Sequence, residues 1–149
     1  MSICDDLVLT KTKIKRLPDQ LWVGGKLVLA RSQVNKLPDD LYVGGYLNIR
    51  NTDIDYIPEN IRVKFGILLE ERNISKYKNI AYAEDCGNLK RTIFAFKNNN
   101  EIQITAGCFN GTLIEFEQAV DKKYSGQAAE QYKQAARDCV RRLKDKATY

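Results

Sequence analysis

The chain has 149 residues, a formal net charge of +5, 44% apolar residues and 29% charged residues, which is ordinary for one or two small folded domains. No apolar run approaches the roughly 18 residues of a membrane span, and no leader combines a charged start with an apolar middle. There is no histidine, which excludes imidazole bases and Cys/His zinc sites. We expect a cytoplasmic protein without a membrane partner.

Residues 1–6 are predicted to be an N-terminal cap. Ile3 can cover the end of the first coil of the repeat that follows, while Asp5 and Asp6 keep the open end polar. A stack of coils requires such a cap, because its end is an apolar surface with a free strand edge.

Residues 7–66 repeat one twenty-residue pattern three times without a gap, and a fourth copy begins at residue 67. One coil cannot bury six aliphatic side chains, whereas stacked coils can. The fixed period therefore predicts a leucine-rich-repeat-like solenoid over residues 7–78, with one or two short strands per coil. The recurring aliphatic positions are Leu7, Leu9, Ile14, Leu17, Leu21 and Val23, then Leu27, Leu29, Val34, Leu37, Leu41 and Val43, then Leu47, Ile49, Ile54, Ile57, Ile61 and Val63.

Two other offsets of the repeat predict turns and hydrogen bonds. A proline followed by an acidic residue suits a bend that the carboxylate can hold through backbone N–H groups. A second offset carries a Thr or Ser hydroxyl in each copy, and these hydroxyls are predicted to hydrogen-bond along the stack. The first offset is Pro18-Asp19, Pro38-Asp39 and Pro58-Glu59, and the second is Thr12, Ser32 and Thr52.

Glycine pairs close the first two copies. Gly24-Gly25 and Gly44-Gly45 directly precede the next strand, where we expect a positive φ. The third copy has Lys64-Phe65 followed by Gly66 instead. Its corner is therefore predicted to be built differently.

The repeat predicts two outward columns of side chains. Trp22, Tyr42 and Arg62 lie between inward positions and form the first column. Stacked aromatics can simply shield the sheet beneath them, or they can bind a partner, since exposed aromatics and arginine are enriched at interface anchors. The second column is the outward face of the Leu-x-Leu strands, which includes Val8, Val28, Leu68, Tyr46 and Arg50.

The period is lost after about Lys78, and residues 79–149 are predicted to form an α+β domain. Alternating apolar residues in 91–97 and 101–105 flank Asn98-Asn99-Asn100, which predicts a β-hairpin. Residues 80–85 are a candidate third strand, because a two-stranded ribbon is only marginally stable. Residues 106–111 are predicted to be a loop.

Two helices are predicted to follow the hairpin. Thr112 and Glu115 form a capping box that opens the first helix, which Ser125-Gly126 ends. The second runs over about residues 127–146. The apolar stripe of the first helix is Leu113, Phe116, Val120 and Tyr124, and that of the second is Ala128, Tyr132, Ala135, Ala136, Cys139, Val140 and Leu143.

A basic stripe lies beside the apolar stripe of the second helix. Residues 122–149 hold eight basic residues against three acidic ones. Such a stripe can attract nucleic acid or an acidic protein, and it is also common on solvated helices. Its members are Lys133, Arg137, Arg141 and Lys144.

No arrangement typical of catalysis, cofactor binding or metal binding stands out. Cys4, Cys86, Cys108 and Cys139 form no C-x-x-C pair, so we expect free thiols, with disulfides or a metal site as lesser alternatives. Cys108 precedes a helix, where a thiol can be activated, but no base accompanies it. We predict that the chain is not an enzyme and has no cofactor.

The repeat L-x-L-x-x-T-x-I-x-x-L-P-x-x-L-x-V-G-G of residues 7–66 resembles that of short leucine-rich-repeat-like proteins of bacteriophages and prophages. Residues 104–116, and the stretch that continues to about Tyr124, resemble the small C-terminal domain that often follows such arrays. The resemblance covers nearly the whole chain and brings no catalytic residues. It implies recognition of a bacterial host protein, such as inhibition of a defence protein in the host cytoplasm.

Besides an enzyme, which we do not favour, three functions remain open at the level of sequence. The first is a protein-binding module that uses the repeat surface, the C-terminal domain or both. The second is a nucleic-acid-binding protein that uses the basic stripe, whose affinity would fall steeply with salt. The third is a homo-oligomer in which a second copy closes the open strand edges of the solenoid.

Overall fold

A computed structural model describes residues 1–87 and 90–146. The described chain divides into two compact units. The first contains Met1–Lys78 and the short segment Lys97–Asn100, and the second contains the rest. The fold is α+β, as the sequence predicts: a solenoid of parallel strands, followed by an antiparallel sheet and two helices.

Two parallel four-stranded sheets run along the solenoid. Sheet A has the order β1-β3-β5-β7 and sheet B the order β2-β4-β6-β8. Each strand has only two residues. In each Leu-x-Leu or Leu-x-Val segment only one inward and one outward side chain alternate before the chain turns. The strands are β1 (Ser2–Ile3), β2 (Leu7–Val8), β3 (Trp22–Val23), β4 (Leu27–Val28), β5 (Tyr42–Val43), β6 (Leu47–Asn48), β7 (Arg62–Val63) and β8 (Ile67–Leu68).

Equivalent residues of successive copies pair directly. Leu7 pairs with Leu27, Leu27 with Leu47, and Leu47 with Ile67. The inward side chains of the second and third copies are at most 2% exposed. Residues 1–6, predicted as a cap, themselves supply β1 to sheet A.

The glycine pairs are required for a different reason from the predicted one. Gly24, Gly25, Gly44 and Gly45 do not have a positive φ, so that prediction is wrong. A Cβ on Gly44 would lie 2.2 Å from the carbonyl oxygen of Gly24, so any side chain would push the coils apart. The corner of the third copy is indeed different, with φ of 94° at Gly66.

The hydroxyl position closes a turn inside its own coil. Oγ1 of Thr12 donates to the carbonyl of Leu9 at 2.8 Å, and Oγ1 of Thr52 donates to Ile49 at 2.7 Å. The prediction of hydrogen bonds along the stack is therefore wrong for these two side chains. The residue before each hydroxyl has a positive φ, namely Lys11, Arg31 and Asn51, which this kind of turn requires.

An acidic side chain one position after the predicted Pro-Asp pair bridges two coils. The carboxylate of Asp40 accepts from the backbone N–H of Gln20, one copy earlier, at 2.9 Å. Gln20 also has a positive φ of 58°. The bridge thus supports a backbone conformation that is unfavourable for a residue other than glycine.

The segment Lys97–Asn100 covers the last strand of sheet A. The amide of Asn98 accepts from the N–H of Val63 at 2.9 Å and donates to its carbonyl at 2.7 Å. The N–H of Asn99 donates to the carbonyl of Ile61 at 2.6 Å. These bonds replace those that a further coil would make, so this edge of sheet A is closed.

After β8 the chain forms two short 3₁₀ turns within Glu71–Lys76, separated by a kink at Asn73, and enters the second unit. This unit contains an antiparallel sheet of order β12-β11-β10-β9. Residues 106–111, predicted as a loop, contain a short strand that pairs with β11. The strands are β9 (Ala81–Cys86), β10 (Arg91–Asn98), β11 (Glu101–Ala106) and β12 (Phe109–Gly111).

Helices α1 (Leu113–Lys123) and α2 (Gly126–Lys146) cover one face of this sheet. Thr112 and Glu115 form the predicted capping box. In the predicted apolar stripe of α2, the buried residues are Tyr132, Ala136, Cys139, Val140 and Leu143, whereas Ala128 and Ala135 are only partly buried. Ala129, outside the predicted stripe, is 4% exposed and is the first deeply buried residue of the helix. Ile93, Ala95 and Ile104 of the sheet complete the core of this unit.

Candidate functional site

The strongest candidate surface is the outer face of sheet A. Parallel pairing places Trp22, Tyr42 and Arg62 side by side on successive strands, and we call these three residues the aromatic column. The Trp22 and Tyr42 rings stack with centroids 5.1 Å apart and planes 7° from parallel. The guanidinium carbon of Arg62 lies 5.2 Å from the centroid of Tyr42. The column is therefore one continuous stack.

The members of the aromatic column differ in accessibility. Trp22 is 40% exposed, Tyr42 is partly buried, and Arg62 is exposed. Because each ring is held against its neighbour, little side-chain entropy remains to be lost when a partner binds. The stack both shields the sheet and leaves an aromatic and a cationic group accessible, so the two predicted roles are compatible.

Tyr46 and Arg50, the other predicted contact residues, lie at either end of β6 in sheet B. The ammonium group of Lys26 lies 5.7 Å from the centre of the Tyr46 ring. Nε of Arg50 donates to Oδ1 of Asn48 at 3.2 Å, and Asn48 is itself buried. Both side chains are thus held in place on the outward column.

The apolar members of that column are interrupted. Val8 is 56% exposed and Leu68 is 40% exposed, whereas Val28 is partly buried. In the third copy, Asn48 stands at the position that Val8, Val28 and Leu68 occupy in the other copies. The outer face of sheet B is therefore less uniform than the aromatic column and provides a weaker candidate surface.

Sequence reasoning did not single out Phe65, which is 60% exposed. It stands where the earlier copies have the second glycine of their pair, and its backbone N–H donates to the carbonyl of Gly45 at 3.1 Å. The ammonium group of Lys64 lies 5.5 Å from its ring. The departure from the glycine pair was a signal that could have identified this residue.

The basic stripe of α2 is largely neutralised by acidic residues. Nζ of Lys133 lies 2.9 Å from Asp121, and Arg137 lies 2.7 Å from Glu117. The hydrogen bond that Lys133 donates to Asp121 raises the pKa of Lys133, and the one that Arg137 donates to Glu117 raises the pKa of Arg137.

At the C-terminal end of the stripe, Arg141 lies 3.2 Å from Asp138, and Lys144 is exposed. The acidic partners on α1, Glu117 and Asp121, lie four positions apart and so share one face of that helix. Their spacing could have predicted this pairing. The ion pairs weigh against the stripe as a phosphate-binding surface.

The four cysteines are all free. Burial raises the pKa of Cys139 to about 11, against a smaller opposing effect of Arg142. Burial, with a further contribution from the charge of Asp85, also raises the pKa of Cys86. These two thiols are therefore protonated and belong to the core, while Cys4 and Cys108 are exposed.

Within residues 1–87 and 90–146, no group of three or more acidic or cysteine side chains is placed to hold a metal ion. Among the described helices, none combines the length and the apolarity needed to cross a membrane. No protein-family model, curated protein or solved structure matches the chain.

Proposed function

We propose that the chain is a non-enzymatic protein-binding module whose repeat surface binds its partner through the aromatic column. The observation that supports this proposal is the stack of Trp22, Tyr42 and Arg62, with the two rings 7° from parallel and the guanidinium above the second ring. Tryptophan, tyrosine and arginine are the residue types that contribute most to binding energy at protein interfaces.

The column favours a partner with a particular surface chemistry. The exposed part of Trp22 offers an apolar contact, and Arg62 offers hydrogen-bond donors that match a carboxylate. The neighbouring Lys64 adds a second positive charge on the same coil. We expect the partner to present an apolar side chain next to acidic ones.

The biological setting of the proposal comes from the resemblance to phage proteins. A phage-encoded module would act in the cytoplasm of the bacterial host and would bind, and thereby inhibit, a host or defence protein. Because Arg62 and Lys64 are both basic, an acidic surface of such a protein is the expected target. This part of the proposal rests on analogy between repeat patterns.

Affinity capture from bacterial lysate, quantified by mass spectrometry, tests the proposal. The bait carrying Trp22→Ala and Tyr42→Ala is compared with the parent chain. We expect a captured protein to be recovered at least about tenfold less by the double variant, since each such residue contributes about 2 kcal/mol at an interface. Circular dichroism verifies that the double variant is folded.

The matched control is Tyr56→Ala. Tyr56 is an aromatic residue of the same unit with 47% exposure, and it lies outside the aromatic column. The Tyr56→Ala variant should capture the partner as well as the parent chain does. Equal recovery by the parent and the double variant would show that the column does not bind this partner.

A further inference from the structure

The positive charge of the repeat unit is concentrated in its first two coils. Residues 11–36 contain seven basic residues and one acidic residue, a net charge of +6, whereas the whole chain has +5. The seventh basic residue, Lys26, lies against the ring of Tyr46. The other six side chains are exposed, and we call them the basic ridge: Lys11, Lys13, Lys15, Arg16, Arg31 and Lys36.

The basic ridge lies on the outer side of the segments that lead from sheet B to the prolines. In the second copy, Arg31, Gln33 and Asn35 are exposed, whereas Ser32 and Val34 are buried. The exposed side chains therefore share the outer side of the coil, and a segment of about six residues spans at most about 20 Å. The first copy has lysine at the same three exposed positions, namely Lys11, Lys13 and Lys15.

Backbone hydrogen bonds hold these two segments side by side. The N–H of Lys11 donates to the carbonyl of Ala30 at 3.3 Å, and the N–H of Gln33 donates to the carbonyl of Thr12 at 3.2 Å. Chains joined in this way lie about 5 Å apart. The charges of the two coils therefore form one narrow strip, which is several times longer than it is wide.

The charges of the basic ridge are not neutralised by ion pairs. Within residues 1–87 and 90–146, no ion pair includes a residue of the ridge. Asp19 and Asp39 line a cleft together with Arg16 and Lys36, but they are not paired with them. The ridge thus differs from the basic stripe of α2, where Lys133 and Arg137 have acidic partners on α1.

The third coil limits the width of a negatively charged ligand. At the positions of the ridge it has Asn51, Asp53, Asp55 and Tyr56. Asp55 pairs with Lys78 at 3.2 Å, whereas Asp53 is exposed. A duplex, whose major groove alone is about 12 Å wide, or a membrane surface would extend over this coil and meet the negative charge. A single linear anion along the first two coils avoids it.

The composition of the ridge favours phosphate over a protein partner. Lysine is depleted at protein interfaces, whereas lysine and arginine supply most of the contacts to nucleic-acid backbones. We propose that the basic ridge binds the phosphodiester backbone of a single-stranded nucleic acid. The ammonium and guanidinium groups contact phosphate oxygens, so binding depends little on base sequence. This site goes beyond the proposed protein-binding function and does not depend on it.

Fluorescence anisotropy of a labelled single-stranded DNA oligonucleotide of mixed sequence, titrated with the full chain at several salt concentrations, tests the proposal. Neutralising the phosphates that face the six residues gives a slope of log affinity against log salt of about −4, so we expect the affinity to fall about 300-fold from about 50 to about 200 mM salt. The duplex of the same sequence should bind more weakly. No binding of the single strand at low salt would overturn the proposal, as would a duplex that binds at least as tightly.

A double variant, Lys13→Gln with Lys15→Asn, locates the binding. The second coil has Gln33 and Asn35 at these positions, so the fold accommodates both side chains. The variant should bind more weakly, and its slope should fall to about −2.8, which is a loss of about 50-fold over the same salt range. An unchanged slope would show that the ridge does not contact the phosphates.

The matched comparison removes the same charge from the rival surface, the basic stripe of α2. Arg141→Gln with Lys144→Gln should keep the slope of the parent, and a decrease like that of the ridge variant would overturn the assignment to the ridge. Competition with polyglutamate and with phosphatidylserine vesicles, at matched charge concentration, distinguishes the ligand classes. We expect both to displace the oligonucleotide less effectively than its unlabelled form does. Equal displacement by either would overturn the assignment to nucleic acid.

Discussion

The two units of the chain reach a buried core by opposite routes. In the repeat unit, a similar aliphatic residue fills the same position in successive coils, as Leu27, Leu47 and Ile67 do. In the C-terminal unit each contact occurs once, as with the capping box of Thr112 and Glu115. The residue type at a position of the repeat therefore follows from the period, whereas the residue type at a position of the second unit depends on its particular neighbours.

This difference predicts how each unit responds to substitution. In a stack, the effect of one change depends on how many coils lie on either side, because each coil contacts only its neighbours. In the second unit, the effect depends on which single contact is lost. Chemical denaturation of matched variants in each unit tests this contrast.

The largest expected effect is that of Leu47→Ala. Leu47 is fully buried, with Leu27 on one side and Ile67 on the other. Removing its branched side chain should destabilise the chain by about 3 kcal/mol. Leu7→Ala, the same change at the first coil, should have an effect of about 1 kcal/mol, since Leu7 is partly exposed on an edge strand. Equal losses at the two positions would refute the dependence on neighbouring coils.

Gly44→Ala should be the next most destabilising, at about 2 kcal/mol. The added Cβ would meet the carbonyl oxygen of Gly24 at 2.2 Å and its carbonyl carbon at 2.9 Å. Both are backbone atoms, so the coils must separate. The control is Gly126→Ala, where φ is 62° and no atom lies within 4 Å of the new Cβ. That variant should lose only about 1 kcal/mol, from backbone conformation alone. A larger loss at Gly126 than at Gly44 would argue against close coil packing as the reason for the glycine pairs.

Much of the repeat could be predicted from the sequence, because each assignment of a position as inward or outward is supported independently by three copies. The period predicts which of Leu21, Trp22 and Val23 face inward, and it predicts the aromatic column for the same reason. The period could not predict why Gly44 is glycine, since either a close approach between backbones or a positive φ would require glycine there. Only the coordinates distinguish these causes.

The C-terminal unit was less predictable where a contact depends on distant parts of the chain. Phe109–Gly111 forms a strand because it pairs with residues 104–106, although its own sequence is typical of a loop. Local signals such as the capping box were predictable, since both partners lie within one turn.

The end of the repeat provides a third test, at Lys97–Asn100, where a turn replaces a coil. Asn98→Ala removes both side-chain hydrogen bonds to the backbone of Val63, and it should destabilise the chain by about 1.5 kcal/mol. Asn100→Gly is the control. The amide of Asn100 donates to Asn60 at an exposed site, and glycine tolerates its positive φ of 63°. We expect Asn100→Gly to lose almost no stability. A loss as large as that of Asn98→Ala would show that the two hydrogen bonds of Asn98 to the backbone of Val63 are unimportant.

The smallest effect concerns a contact that occurs only once. Thr112→Ala removes the hydroxyl that accepts from the N–H of Glu115 at 3.2 Å, and it should destabilise the chain by about 1 kcal/mol. The carboxylate of Glu115 in turn accepts from the N–H of Thr112 at 2.9 Å. A double-mutant cycle with Glu115→Gln measures whether the two bonds support each other.

The same box predicts a dependence on pH. The backbone hydrogen bond from Thr112 lowers the pKa of Glu115, and the hydroxyl of Thr112 lowers it further. Since the folded pKa lies below the unfolded one, the carboxylate stabilises the fold above the unfolded value, and this contribution is lost as the pH falls through the folded pKa. Glu115→Gln should therefore be less stable than the parent at pH 7 and approach it in acid. A difference in unfolding midpoint that stays constant from pH 7 to acid would show that the charge of Glu115 does not contribute to stability.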